Sequence, residues 1–167
     1  MQRDQFNALG KQGFNRIPLV KEVLADLETP LSLYVKLTQA FGKKNTYLLE
    51  SVLGGERFGR FSFIGLPAKT IIRTVGTPTA PVNEVVTDGE VVETNTDNPL
   101  DFVDTYFKRF KVAVEDGLPR FCGGLAGYFG YDTVRYIESR LAKHDLPDEL
   151  GVPDIQLMLT EDLAVID

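Results

Sequence analysis

The chain has 167 residues, 43% of them apolar and 25% charged, with a formal net charge of −6. That is enough for one domain with a real core or two very small ones, and the balance argues against long disorder. An acidic chain lacks the broad positive field that phosphate backbones attract, so nucleic acid is not an expected partner.

The single cysteine, Cys122, excludes an intrachain disulfide or a thiolate metal cluster and fits a reducing compartment. His144 is the only histidine. Beside Lys143, Asp145 and Pro147 it reads as a solvated loop side chain, and no multi-histidine metal site is possible. The opening MQRDQFNALGKQG is too polar for a signal peptide. No apolar run approaches the roughly 18 residues that a membrane helix needs. A soluble, cytoplasmic protein without a membrane partner is expected.

In chain order, residues 2–11 read as a short helix with Phe6 and Leu9 on one face, ended by Gly13. RIPLVKEVLAD reads as strand up to about Val23, although KEVLADL also suits a helix. Thr29 then precedes Pro30, a capping residue followed by proline at the first helical position. Leu31, Tyr34, Leu37 and Phe41 recur at helical spacing until Gly42. From Asn45 the period becomes strand-like: TYLLESV, the glycine-rich GGERFGR, FSFIG, then KTIIRTVG closed by Gly76 and Pro78. VNEVVTDGEVVETN predicts a hairpin about Asp88-Gly89. Asn98-Pro99 opens another helix, with Leu100, Val103, Phe107 and Phe110 on a shared face. GGLAGYFGYDTVRYIE begins as a strand and turns helical near Tyr131. A charged, proline-containing loop over 139–153 follows, and DIQLMLTEDLAVID predicts two strands about Glu161-Asp162. Short turns cannot join parallel neighbours, so the pattern predicts an α+β fold with largely antiparallel sheets and a few helices. The last strand, LAVID, carries no polar tail, and the chain is expected to be part of a longer polypeptide.

Three stretches invite a chemical reading. Gly124, Gly127 and Gly130 lack the lysine and loop context of a phosphate cradle, so close backbone approach within a sheet is the better account. Arg57 and Arg60 stand beside phenylalanines in GGERFGRFSFIG. They are either snorkelling surface side chains or a guanidinium fork aimed at a carboxylate. In LLES, strand alternation puts Tyr47, Leu49 and Ser51 on one face and Leu48, Glu50 and Val52 on the other. A buried Glu50 would need a cation, because an unpaired buried carboxylate costs several kcal/mol or more. Ser51 has no base nearby to make it a nucleophile, and no catalytic residue is expected.

Taken together, NRIPLVKEVLADLETPLSLYVKL, YLLESVLGGERFGRFSFIGLPA and GGLAGYFGYDTVRYIE closely resemble the N-terminal part of the anthranilate synthase component I family, the large chorismate-using subunits. The resemblance runs from about Phe6 to Asp167. It implies that residues 1–167 form an N-terminal regulatory domain within the family's layered orthogonal sheet sandwich. It also implies that the catalytic half, which binds chorismate and Mg²⁺, is absent, so no catalytic or metal residue carries over. In this family the LLES element belongs to the tryptophan feedback site, and the matching positions are Glu50 and Ser51. Around an amino acid, Glu50 is an acceptor for the ammonium, and Ser51 or Arg60 a donor to the carboxylate. Leu49 and Phe63 are candidates to line the indole slot. Expected partners are L-tryptophan and, for the whole enzyme, a glutamine amidotransferase subunit; the isolated chain is expected to be catalytically inert and to self-associate. Two alternatives stay open: the N-terminal domain of aminodeoxychorismate synthase component I, and a self-contained, non-enzymatic binding module.

Overall fold

The computed structural model describes residues 1–50, 60–114, 116–143 and 148–167. The fold is α+β: helices α1 (Arg3–Lys11), α2 (Pro30–Phe41) and α3 (Pro99–Phe107) accompany two antiparallel sheets. The smaller sheet has the order β1 (Tyr47–Leu49), β2 (Ser62–Gly65), β8 (Leu163–Ile166). The larger runs β5 (Glu90–Asn95), β4 (Ala80–Thr87), β3 (Thr70–Thr77), β7 (Ile155–Thr160), β6 (Gly124–Phe129).

Local chemistry sets most element ends. Thr29 and Ser32 form a reciprocal capping box, with Ser32 N donating to Thr29 Oγ1 at 3.1 Å and Thr29 N to Ser32 Oγ at 2.9 Å. Asn98 caps α3 by accepting from Leu100 N at 2.9 Å. Asp88 and Gly89 both adopt positive φ, 51° and 91°, as a tight hairpin turn requires, and β4 and β5 flank them as expected. β6 also ends where the sequence predicts, and a 3-10 helix follows over Tyr131–Tyr136.

Ile72 of β3 pairs with Val85 of β4 and Leu157 of β7. With Ile155 these side chains meet Phe102 and Tyr106 of α3 to form the core. Burying each such side chain contributes about 1.5–3 kcal/mol. Beside it runs a buried polar row: Thr74 Oγ1 donates to Asn83 Oδ1 at 2.8 Å, and Asn83 Nδ2 donates to the Asp97 carbonyl at 3.0 Å. The row orders the chain just ahead of α3 without leaving a buried polar atom unpaired.

Three expectations are corrected. Residues 17–25 form no strand: only Arg16 makes an isolated parallel bridge, to Val112, and Leu19, Val20, Val23 and Leu24 are exposed. Pro18 offers no N–H, and no neighbouring strand supplies a ladder. On α3 the buried side chains are Pro99, Phe102 and Tyr106; Leu100, Val103 and Phe110 flank them, while Phe107 is 51% exposed. On α2 the inward side centres on Thr38, with Tyr34 and Leu37 half-buried and Leu31 and Phe41 exposed.

The expected close approach at the glycines is present. A Cβ on Gly127 would stand 2.0 Å from the Gln156 carbonyl oxygen on the adjacent strand. The two final strands lie in different sheets, so Glu161-Asp162 passes the chain from the large sheet to the small one.

Candidate functional site

The site expected around LLES begins on β1, the short edge strand of the small sheet. Its register on β2 is Tyr47 to Gly65, Leu48 to Ile64 and Leu49 to Phe63, and β2 in turn sets Phe63 against Val165 of β8. Antiparallel partners share a face, so Leu49, Phe63 and Val165 form one apolar row across the sheet. Leu49 is 52% exposed, Val165 is exposed and Phe63 half-buried. The structure therefore brings together the two side chains expected to line an apolar slot.

Phe63 does not stand alone. The Phe121 ring meets it edge-on at 5.6 Å between centroids, and Phe61 lies tilted at 6.2 Å. Such aromatic pairs contribute about 0.5–1.5 kcal/mol beyond area burial. The alternation in FSF signals that Phe61 and Phe63 share a face. Nothing in the sequence signals that Phe121, from the segment before β6, completes the group.

The far end of β1 is held firmly. The Tyr47 ring covers Gly65 so closely that a Cβ there would stand 2.1 Å from it. The Tyr47 hydroxyl reaches Thr160 Oγ1 at 2.9 Å, joining β1 to the last residue of β7 in the other sheet. Burial pushes the Tyr47 phenol above its ordinary value, and the bond to Thr160 works against that rise. β1 is thus fixed through Tyr47 at one end and presents Leu49 and Glu50 at the other.

Glu50 follows the strand immediately and is exposed. The expectation that a buried carboxylate needs a cation falls away, since water solvates this one. Among the described residues Glu50 has no ion-pair partner. Ser51 and Arg57 lie outside the described residues, as does His144.

Arg60 is described, and it already holds a carboxylate. Its Nε donates to Asp167 Oδ1 at 2.5 Å and its terminal nitrogen to Asp167 Oδ2, the two-pronged geometry proper to guanidinium and carboxylate. The guanidinium also lies 4.9 Å from the centroid of the Phe61 ring. The hydrogen bonds from Arg60 hold the Asp167 carboxyl below its ordinary value. The arginine is therefore competent to bind a carboxylate beside the aromatic row, and Asp167 is a group that sequence reasoning missed. Its signal was the antiparallel pairing of β2 with β8, which seats Ser62 opposite Ile166.

Away from this region, Tyr136 donates to Asp154 Oδ2 at 2.5 Å, and burial followed by this carboxylate pushes the phenol far up. That pair fastens the 3-10 helix to the start of β7. No three or more His, Cys, Asp and Glu side chains gather as a metal site among the described residues. None of the described helices is long and apolar enough to cross a membrane.

Comparison with known proteins gives a consistent result. No family model matches the chain. All of it aligns, at 51% identity, with 33% of anthranilate synthase component 1 from Pseudomonas putida. The protein of the same name from Neisseria meningitidis serogroup B is 51% identical over 99% of the chain and 33% of its own length. That from Pseudomonas aeruginosa is 49% identical over the whole chain and 33% of its own length. The chain spans about a third of the length of these relatives, and the third it matches is the N-terminal one.

Proposed function

We propose that this chain, which belongs along its whole length with the N-terminal third of anthranilate synthase component 1, is the tryptophan-sensing portion of such a subunit. The observation that carries the reading is the uninterrupted match at about half identity over all 167 residues. The complete subunit would convert chorismate and ammonia, the latter free or delivered from glutamine by an amidotransferase subunit, to anthranilate and pyruvate for tryptophan synthesis. The portion seen here supplies regulation and no chemistry. Magnesium, which the resemblance implies for the whole subunit, we assign to its other two thirds.

The geometry supports a tryptophan wall at the end of β1. Leu49 and Phe63 offer an apolar row for the indole, exposed Glu50 an acceptor for the ammonium, and Arg60 a fork for the carboxylate. The hydroxyl of Ser51, next in the chain, is a further donor. Because Arg60 is engaged by Asp167, a ligand carboxylate has to compete with that side chain or join it. Inhibition follows if tryptophan binds more tightly to a state with a poor chorismate site.

Complementation tests the reading. The chain is mixed with the separately produced remainder of the subunit, and ammonia-dependent anthranilate formation is assayed. Activity that L-tryptophan suppresses only when this chain is present supports the assignment. Tryptophan suppression of the remainder alone overturns it.

A further inference from the structure

We propose that a cleft at the joint of the two sheets, on the face of the large sheet turned away from α3, binds a small organic anion through carboxylate or phosphate groups. Strand alternation builds it. Lys69, Ile71 and Arg73 project from the same face of β3 and its approach, while Ile72 and Thr74 point into the core side. Register places Val86 beside Ile71 and Gln156 beside Arg73 on that face. Lys44 closes the cleft from the turn between α2 and β1. The cleft is open to solvent on one side and has a volume of about 680 Å³, within the roughly 300–1,000 Å³ range of small-molecule sites.

Charge and fixity set this cleft apart from the rest of the surface. Lys44, Lys69 and Arg73 line it against Asp88, and Glu84, opposite Arg73 in register, pairs with that guanidinium, so the two lysines supply the positive excess in a chain whose net charge is −6. Neither Lys44 nor Lys69 pairs with a described carboxylate. Arg73 donates Nε to Glu84 at 2.6 Å, which orients the guanidinium and leaves its terminal nitrogens for a ligand. The walls are tied to one another as well. Asn45 Nδ2 donates to the Ala68 carbonyl at 3.2 Å, and Ala68 N donates to the Asn45 carbonyl at 3.0 Å. Asp88 N donates to the Lys69 carbonyl at 3.0 Å. Ile71 and Val86 give the floor an apolar character suited to a carbon skeleton, so the ligand class is a small organic polyanion. An occupant here would bridge the turn between α2 and β1 and the β2–β3 connection to the large sheet. The inference stands independently of tryptophan binding.

The test is a titration of the ¹⁵N-labelled chain with citrate and, separately, inorganic phosphate at constant ionic strength, read by amide shifts. Saturable shifts confined to Lys44, Asn45, Lys69, Ile71, Arg73 and Gly89 are expected with at least one probe, and which one saturates identifies the anionic group. In a Lys44→Gln/Lys69→Gln variant the apparent affinity is expected to fall at least tenfold. Both lysines are exposed, so the variant's unchanged spectrum elsewhere serves as the folding control. Shifts that grow linearly with both probes, appear equally at Lys21 and Lys111, or survive the double substitution overturn the proposal.

Discussion

Replacing Tyr47 by Phe tests whether the β1 platform is held by the other sheet. The hydroxyl lies 2.9 Å from Thr160 Oγ1, and Thr160 is 3% exposed. Its side chain has no second hydrogen-bond partner among the described residues, so Tyr47→Phe strands a buried hydroxyl at a cost of about 1–3 kcal/mol. Thr160→Val leaves the orphan on Tyr47 instead, whose half-buried position lets water approach, and about 0.5–1.5 kcal/mol is lost. The double variant removes both polar groups, so its loss is smaller than the sum of the two, with a coupling of about 1 kcal/mol. The chain has no tryptophan, so urea unfolding is followed by circular dichroism. With a urea dependence of about 1–3 kcal/mol per molar, a 2 kcal/mol loss moves the midpoint by about 1 M. An unmoved midpoint in Tyr47→Phe, or strictly additive losses in the double variant, would refute the account of this joint.

Other outcomes follow from the same structure. Phe102→Ala is expected to cost about 3–5 kcal/mol, whereas the half-exposed Phe107→Ala costs no more than about 1 kcal/mol; equal losses by urea unfolding would contradict the observed α3 face. Hydrogen bonds from Arg109 hold the Glu93 carboxyl below its ordinary range. A depressed folded value means the pair's contribution is full above the ordinary carboxylate range and is lost as pH falls through the lower folded value. Side-chain ¹³C titration is expected to find Glu93 titrating low, and in the ordinary range after Arg109→Gln; a wild-type Glu93 already titrating in that range speaks against the pairing. Leu19, Val23, Leu24 and Leu27 are 70% or more exposed, and β5 and β6 are open edges of the large sheet. Self-association at high concentration is therefore expected in light scattering, and a strict monomer would contradict it.

What the sequence made legible was local. The N-cap at Thr29, the helix start at Asn98-Pro99 and the turn at Asp88-Gly89 depend on a few adjacent atoms, and each lies where the sequence predicts. What it hid depends on partners far along the chain. The stretch after Arg16 has strand composition but no neighbour to pair with. The face of α3 is chosen by Ile72, Val85 and Leu157, and a one-residue rotation of the apolar stripe makes Phe102 and Tyr106 the core residues. The candidate site divides the same way. Leu49 and Phe63 were expected to meet, and register brings them opposite one another. Phe121 and Asp167 enter only because distant segments return to β2, which no pattern within LLES or GGERFGR encodes.

The central claim is that the end of β1 senses tryptophan, and inhibition of the complete subunit tests it most directly. Half-inhibition by L-tryptophan is measured for anthranilate formation in the wild type and in Ser51→Phe, with kcat and KM for chorismate determined alongside. The account predicts that the substitution raises the half-inhibitory concentration at least tenfold while kcat and KM stay within about twofold, because the proposal assigns catalysis to the rest of the subunit; that shift is about 1.4 kcal/mol of lost binding. An unchanged inhibition curve in an active Ser51→Phe enzyme would contradict it.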